Sequence, residues 1–473
     1  MKSSCFFVVQ TNHSSQQSIY PLYFDLVKKK EREYLKSQLK KEITFFGALS
    51  TVMGTVIGAG VFFKAAAVVQ HTQSSGLTLL VWLIAGCLTI CGGLTVAELA
   101  TAIPETGGPI RYIERIYGKL PSFLLGWAQS IIYFPANIAA LSIIFATQCL
   151  NLFHLPASYL LPLSLITGTS VSLFNLLGTK TAAGVQSFTL SIKLIPIALI
   201  VLVGLMTPGR VSVSVINFST TSDGSIIAGI SSALLATLFA YDGWLGVGNI
   251  AGEMKRPEKD LPKAIIFGLS FVTLVYLLIN LVFLKTLPLE QIAGNLNSAS
   301  ETALQLFGDF GGKLVTIGIL ISVYGALNGY TMTGLRVPYA MALENEVPFS
   351  STFVKLTNKT KAPYAAVFFQ LAIACLMMLL GSFDLLTDML IFVMWFFSVL
   401  LFVGVILLRK KAPELNRPYK VPLYPITPII ALLGGGFILI MTILTAPVLA
   451  LIGILITCLG IPVFYFQQRG AKK

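Results

Sequence analysis

Apolar segments of about 20 residues recur along the chain, and this is the length that a helix needs to cross a lipid bilayer. Of the 473 residues, 55% are hydrophobic and only 11% are charged. A soluble protein of this size cannot bury so much apolar surface. The sequence therefore predicts an all-α polytopic membrane protein that is embedded in the lipid bilayer.

Twelve transmembrane helices are predicted from these segments. They lie approximately at 43–69, 77–103, 121–150, 155–177, 183–206, 226–251, 264–283, 314–342, 364–380, 385–408, 428–444 and 448–466. An even number of spans puts both termini on one side of the membrane. Basic residues such as Arg111, Arg115 and Lys119 follow even-numbered spans, which predicts that this side is cytoplasmic. We expect a multi-pass protein of the cell membrane with cytoplasmic tails at 1–42 and 467–473.

The net charge of +13 does not indicate nucleic acid binding, because the basic residues gather on one side of the predicted membrane. Six cysteines lack C-x-x-C spacing, and the three histidines are not paired at ligand spacing. Walker, G-x-S-x-G and H-E-x-x-H motifs are absent from the sequence. We expect no metal, no cofactor and no enzymatic activity.

The first predicted span contains Gly-Thr-Val-Ile-Gly-Ala-Gly at residues 54–60. Glycine and β-branched residues weaken a helix at the depth where an unpaired peptide group costs several kcal/mol. A break here must therefore face protein or a water-filled cavity. The N–H groups that begin the second half of the helix would then bind an anion. Close packing of helices through small residues is the alternative interpretation.

A second interruption is predicted in span six, where Phe-Ala-Tyr-Asp-Gly-Trp occupies residues 239–244. Spans one and six each begin a set of five helices, so the two breaks occupy equivalent positions. Paired interrupted helices of this kind mark the binding site of transporters with inverted repeats. We predict repeats at 43–207 and 226–408 in a five-plus-five core, with two added helices at 428–466.

Two broken helices suit a zwitterionic ligand, whose carboxylate would bind free N–H groups and whose ammonium would bind free carbonyl groups. The predicted substrate-binding residues are Val56, Ile57, Gly58, Ala59, Gly60, Phe239, Ala240 and Tyr241. Phe239 and Tyr241 are the large residues expected to select the ligand's side chain, and an aromatic ring here could close as a lid. Ordinary core packing is the alternative for each of them.

Lys193 lies in the middle of span five, and a buried cation within the membrane is a functional candidate. It could be a fixed cation or a proton carrier, and near the first break it could take the part of a sodium ion. Ser322 and Asn328 in span eight could contact this lysine or the ligand. Hydrogen bonding between helices is an equally good account of both.

The motif Gly54-x3-Gly58-Ala59-Gly60-Val61-Phe62 resembles a signature of the amino acid–polyamine–organocation superfamily. Residues 239–244 and 191–194 resemble its L-type amino acid transporter branch. The resemblance implies the fold of the bacterial leucine transporter family, with broken helices one and six. It also implies sodium-independent exchange of small neutral L-amino acids, with serine and threonine foremost. It also implies a carboxylate site at Gly58–Gly60, an aromatic gate at Phe239 and Tyr241, and Lys193 in place of sodium. Bacterial members work alone, so we expect no heavy-chain glycoprotein partner.

A proton-coupled uptake permease is the alternative function within the same superfamily, with Lys193 titrating during transport. A membrane enzyme would need a nucleophile with a base, or a metal cluster, and the sequence offers neither. An ion channel would need a repeated filter around an open pore. Two asymmetric breaks instead favour a site that closes around its ligand.

Overall fold

The structure is a computed structural model that describes residues 43–103, 107–214, 226–246, 251 and 254–470. These residues form helices and loops, and their only β-type pairing is a single bridge between Ile43 and Met254. The all-α class predicted from the sequence is therefore confirmed. The predicted tail at 1–42, the last three residues, and residues 247–250 at the end of predicted span six lie outside the described ranges.

Nineteen α-helices are present in the described ranges. They are α1 (Phe45–Val56), α2 (Gly60–Thr72), α3 (Ser75–Ala102), α4 (Pro109–Tyr117), α5 (Lys119–Ala128), α6 (Phe134–Phe153), α7 (Leu160–Asn175), α8 (Thr179–Met206), α9 (Ile226–Ala240), α10 (Pro257–Thr286), α11 (Leu289–Ile292), α12 (Ser298–Gly334), α13 (Arg336–Leu343), α14 (Ser350–Phe353), α15 (Tyr364–Leu380), α16 (Phe383–Lys411), α17 (Ile426–Thr445), α18 (Pro447–Cys458) and α19 (Gly460–Gly470).

Within the described part of the chain, eight helical segments are long and apolar enough to cross a membrane. The bent pair of α1 and α2 makes a ninth if it is counted as one span. Three shorter apolar helices lie at Ile192–Met206, Ile226–Ala240 and Tyr364–Leu380. The chain is thus a multi-pass membrane protein. Each of the twelve predicted segments contains helix, but the number of complete crossings remains a prediction.

The helices pack in two groups that meet at the interruptions. In the first group α9 packs on α2, and α10 packs on both α1 and α3. In the second group α12 packs on α6 and α8, and α7 packs on α6. Small residues allow the close approaches, since a Cβ on Gly86 would lie 2.3 Å from the Thr273 hydroxyl and one on Gly325 would lie 2.3 Å from the Thr189 hydroxyl.

A buried carboxylate fixes one end of α3. Glu98 is 2% exposed and accepts hydrogen bonds from Arg409 Nε at 2.8 Å and Nη2 at 2.6 Å. It also accepts the backbone N–H of Val421 at 2.8 Å. A bidentate pair of this kind is strong and directional, so Glu98 holds α3 to α16 and to the loop that follows α16.

Candidate functional site

The first helix is interrupted where its glycines predict. Helices α1 and α2 meet at a bend of 49°, and Ile57 between them has an extended backbone with ψ of 102°. The last hydrogen bond of α1 runs from the Ile57 N–H to the Met53 carbonyl at 2.9 Å. Helix α2 begins at Gly60, and the first N–H groups of a helix have no acceptor within that helix. This interruption therefore exposes backbone donors in the middle of an apolar segment.

The second interruption lies where α9 ends at Ala240, and a turn follows at residues 241–243. Gly243 has φ of +101°, a region of backbone space that favours glycine. A Cβ on Gly243 would lie 2.8 Å from the Thr55 carbonyl oxygen, and one on Gly60 would lie 2.6 Å from the Ala240 Cα. The two interruptions are therefore in direct contact, and both contacts require glycine.

Lys193 on α8 reaches the first interruption. Its Nζ donates hydrogen bonds to the Gly54 carbonyl at 2.5 Å and to the Ile57 carbonyl. The residue is only 9% exposed. If α1 continued, these carbonyls at its end would accept hydrogen bonds from N–H groups of the next helical turn. Lys193 therefore places a positive charge on the broken backbone instead of reaching toward a membrane surface.

Tyr276 on α10 joins the two interruptions and was not predicted from the sequence. Its hydroxyl lies 3.0 Å from the Val56 carbonyl and 2.9 Å from the Ala240 carbonyl. A tyrosine has a single O–H donor, so it serves one carbonyl at a time. A lone tyrosine in an apolar helix resembles core packing, and only the fold reveals this contact.

Three of the four carbonyls predicted to bind an ammonium group have a protein donor at any one time. Tyr276 serves either Val56 or Ala240, Lys193 serves Ile57, and the Asp242 N–H donates to the Phe239 carbonyl at 3.2 Å. A carbonyl oxygen has two lone pairs, so each can still accept a second donor. A ligand ammonium would thus share these acceptors.

Gly58 borders open space at the first interruption. A Cβ placed on it would meet only the Val56 carbonyl, at 3.8 Å, and the residue is half-buried. Ala59 and Gly60 are buried beside it. The predicted ligand position next to Gly58 is therefore sterically available.

Phe239 lies next to a group of charges that we call the lysine cluster: Lys64, Asp384 and Asp388. The side chains of Asp384 and Asp388 are 43% and 18% exposed. The Lys64 Nζ is 2.7 Å from Asp384 Oδ1 and 2.9 Å from Asp388 Oδ1, and Lys64 is fully buried. Its ammonium lies 5.7 Å from the Phe239 ring centroid and 5.1 Å from that of Phe383. Phe239 itself is 6% exposed and packs edge-on against Phe383. Lys64, Phe239 and Phe383 are thus packed together on the α2 side of the interruptions.

The lysine cluster was not predicted from the sequence, although a signal for it is present there. Lys64 is a charge within the first apolar segment, and Asp384 and Asp388 are one helical turn apart at the start of another. Charges at such positions rarely stay unpaired within a membrane. That they pair with each other follows only from the fold.

On the opposite side lies the tyrosine cluster, which consists of Asp242, Tyr133 and Tyr330. Asp242 Oδ2 accepts hydrogen bonds from the Tyr133 hydroxyl at 2.5 Å and the Tyr330 hydroxyl at 3.3 Å. All three residues are partly exposed. Tyr133 ends a turn of π-helix at Gln129–Tyr133, a local irregularity that is frequent at functional sites.

Tyr241 is directed away from both interruptions. It is fully buried, and its hydroxyl donates to the Trp82 carbonyl at 3.0 Å. Its ring packs against those of Trp82 and Tyr276. The contacts of Tyr241 are thus those of the core packing that was the alternative interpretation.

Asn328 and Ser322 are not hydrogen-bonded to Lys193. Asn328 donates to the Ala182 carbonyl at 2.9 Å and accepts from Asn175 at 3.1 Å, so it joins three helices. Ser322 is buried, and its hydroxyl has no hydrogen-bond partner among the described residues. The described ranges also contain no cluster of three or more His, Cys, Asp or Glu residues that could hold a metal ion.

Apolar membrane-crossing helices with two touching interruptions and a lysine bound to the broken backbone define the transporter class of membrane protein. The sequence profile of the amino acid permease family matches residues 43–469, and the chain belongs to that family. It is 41% identical to the serine/threonine exchanger SteT of Bacillus subtilis (strain 168), over 91% of this chain and 98% of that protein.

More distant relatives belong to animals. The chain is 31% identical to the cystine/glutamate transporter of Homo sapiens, over 93% of this chain and 87% of that protein. It is 28% identical to the b(0,+)-type amino acid transporter 1 of Rattus norvegicus, over 91% and 88% respectively. The chain is therefore an amino acid transporter and not an enzyme.

Proposed function

We propose that the chain is a sodium-independent secondary transporter that exchanges small neutral L-amino acids, serine and threonine foremost, by alternating access. Similarity to a serine/threonine exchanger along nearly the whole chain supports the substrate class. The observation that carries the mechanism is the Lys193 ammonium bound to the Gly54 and Ile57 carbonyls.

A fixed ammonium at these carbonyls supplies a positive charge beside the interrupted helix. A sodium ion bound there would supply the same charge and use the same oxygen ligands. With Lys193 in place, the substrate carboxylate can bind the N–H groups around Gly58, Ala59 and Gly60 without a bound metal ion. Sodium dependence is therefore not expected.

Unequal burial of the two sides of the site supports alternating access. Lys64 and Phe239 are buried on the α2 side, whereas Thr55 is exposed and Asp242 is partly exposed on the other side. With twelve spans in two inverted repeats at 43–207 and 226–408, both termini are cytoplasmic and the lysine cluster faces outward. Opening outward would separate Lys64 from its two aspartates.

The proposed setting is the cell membrane, where the transporter acts without a heavy-chain glycoprotein. Uptake of labelled serine into proteoliposomes tests the exchange mechanism. We expect uptake only when the vesicles contain unlabelled amino acid, with equal rates in sodium and in choline buffer. Uptake into empty vesicles that is driven by an imposed proton gradient would instead identify the proton-coupled permease.

Lys193→Ala tests the role of the fixed cation, and Lys285→Ala is the matched control. Lys285 also donates to two backbone carbonyls, those of Gly204 and Thr207 at 3.2 Å each, away from the interruptions. We expect Lys193→Ala to lose most exchange at an unchanged protein level and Lys285→Ala to retain it. Normal exchange by Lys193→Ala would remove this lysine from the mechanism.

A further inference from the structure

We infer that Asp242, held by Tyr133 and Tyr330, selects substrates whose side chain carries a hydroxyl group. This inference rests on the proposed function, because it assigns side-chain recognition within the same site. Asp242 would accept a hydrogen bond from the hydroxyl of serine or threonine. The main-chain groups of the substrate would bind the interrupted helices.

The position of Asp242 places its carboxylate at the site. It lies two residues beyond the end of α9, and its neighbour Gly243 is packed against the Thr55 carbonyl of the other interruption. Asp242, Tyr133 and Tyr330 are partly exposed, although they come from helical segments in the interior of the protein. This combination indicates that they line a crevice that a small solute can enter.

The hydrogen bonding of Asp242 leaves capacity for one more donor. An ionised carboxylate offers about four acceptor positions and no donor. Oδ2 accepts from the hydroxyls of Tyr133 and Tyr330, and the Gly243 N–H also faces the carboxylate. The remaining position can accept the hydroxyl of a substrate, and it offers nothing to an alkyl side chain of the same size.

The fixed charges at the interruptions do not by themselves exclude a cationic side chain. Lys193 and Asp242 contribute one charge of each sign, and the lysine cluster adds one cation and two carboxylates. A side-chain ammonium beside Asp242 would therefore find a compensating charge. The preference for a hydroxyl follows from the neutral substrates of the proposed function, and competition by 2,3-diaminopropionate tests it.

The other large residues near the interruptions present no free carboxylate or hydroxyl donor, since Tyr276 donates its hydroxyl to the Val56 or the Ala240 carbonyl. Tyr241 donates its hydroxyl to Trp82, and Phe239 presents an apolar ring beneath the lysine cluster. The rings of Tyr133 and Tyr330 pack edge-on at 6.0 Å between centroids and border the carboxylate. Polar recognition of a small side chain therefore falls to Asp242.

Competition against labelled serine in proteoliposomes tests the assignment. Threonine and valine have nearly the same shape and differ by the hydroxyl, so the ratio of their inhibition constants reports its recognition. We expect the wild type to prefer threonine and Asp242→Ala to reduce that preference about tenfold or more, as loss of a hydrogen bond to a charged group predicts. Tyr133→Phe and Tyr330→Phe should each reduce it about two- to fivefold.

Tyr324→Phe is the matched control for the tyrosine variants. Tyr324 lies on the same helix as Tyr330, but its hydroxyl lies 3.4 Å from that of Ser170 and away from Asp242. Tyr324→Phe should leave the ratio of the inhibition constants of threonine and valine unchanged. Asp242→Asn keeps the size of the side chain and covers the case in which Asp242→Ala does not fold. For a variant that no longer transports, the preference is measured instead from the rise in melting temperature of the purified protein with threonine and with valine.

The outcomes separate this inference from the proposed function. If the wild type exchanges threonine but the ratio stays within twofold in Asp242→Ala and Asp242→Asn, the inference is overturned and the proposed function stands. Stronger competition by 2,3-diaminopropionate than by serine would overturn the assignment to a hydroxyl. If the wild type exchanges no neutral amino acid, the proposed function fails and the inference fails with it.

Discussion

The lysine cluster and the tyrosine cluster lie on opposite sides of the same pair of helix interruptions, and they are built differently. In the first, a fully buried Lys64 is paired with two carboxylates at 2.7 and 2.9 Å. In the second, the Asp242 carboxylate is held by two tyrosine hydroxyls and is partly exposed.

This difference predicts which side of the site resists opening. Separating the buried lysine from its carboxylates leaves an unpaired charge in a medium of low dielectric constant, which is costly. Tyrosine hydroxyls can exchange a carboxylate for water or for a ligand hydroxyl at little net cost. Under the proposed function we therefore expect the α2 side to be the harder side to open and the side of Asp242 to admit the ligand.

The largest expected effect is that of Lys64→Met, which would break the lysine cluster. Removal of the cation leaves two carboxylates close together without a partner and should lower the free energy of unfolding by about 2–3 kcal/mol, less than for a fully buried pair because Asp384 is 43% exposed. Asp242→Asn on the other side should lower it by only about 1–2 kcal/mol. Thermal unfolding of the detergent-purified proteins measures both.

The combined variant Lys64→Met/Asp384→Asn/Asp388→Asn is the control for that comparison. It removes the carboxylates together with the lysine and should regain much of the lost stability. If it is no more stable than Lys64→Met alone, the cost does not come from unpaired charge and the contrast between the two clusters fails.

The second effect concerns the open space between the two clusters. Gly58→Leu should abolish serine exchange at a normal protein level, because the leucine side chain would fill the space beside Gly58. Gly60→Ala should instead reduce the amount of folded protein, since its Cβ would lie 2.6 Å from the Ala240 Cα. Exchange assays with quantitative immunoblots separate the two, and serine exchange by Gly58→Leu would place the ligand elsewhere.

A smaller effect is expected from Phe239→Ala, which would remove the ring beneath the lysine cluster. Loss of a lid should raise the apparent KM for serine about three- to tenfold. Phe396→Ala, which removes a half-exposed ring on α16, is the control and should leave KM unchanged. An unchanged apparent KM in Phe239→Ala would show that Phe239 only packs in the core and does not act as a lid.

The smallest effect is expected at Glu346, a carboxylate that lies outside the predicted spans and away from both clusters. Burial is the main cause that raises the pKa of Glu346 from 4.5 to about 7, and repulsion from Glu344 is the next. Glu114 adds to the rise, whereas Arg111 and Lys119 oppose it. The protonated form favours folding, so this stabilisation is complete below about pH 4.5 and is lost as the pH rises through 7.

After allowance for solvent screening, Glu346→Gln should raise stability at pH 8 by about 1 kcal/mol relative to the wild type. The difference should vanish near pH 4. Melting temperatures measured between pH 4 and pH 8 provide the test, and a pH-independent difference would exclude ionisation of Glu346 as its cause.

The interruptions and Lys193 could be predicted from the sequence because their signals are local. Glycines weaken a helix at their own positions, and a lysine in the middle of an apolar segment is costly wherever its partner lies. The bend between α1 and α2 and the hydrogen bonds of Lys193 lie at the residues that carry these signals. The functional roles of these residues remain predictions.

The pairings between distant helices could not be predicted in this way. Lys64 and Asp384 are 320 positions apart, and no periodicity in the sequence indicates that they meet. The direction of an aromatic side chain on an interrupted helix is equally hidden, because the turn after α9 sends Tyr241 toward α3 and Asp242 toward the tyrosines. Tyr276 and Asn328 likewise acquire their contacts only from helix packing.

The most direct test of the account is a cryo-electron microscopy map of the protein in lipid nanodiscs with and without threonine. We expect a break between α1 and α2 and density for threonine between Gly58 and the end of α9. The threonine hydroxyl should be directed toward Asp242. A continuous helix from residue 45 to residue 72, or threonine density away from both interruptions, would contradict it.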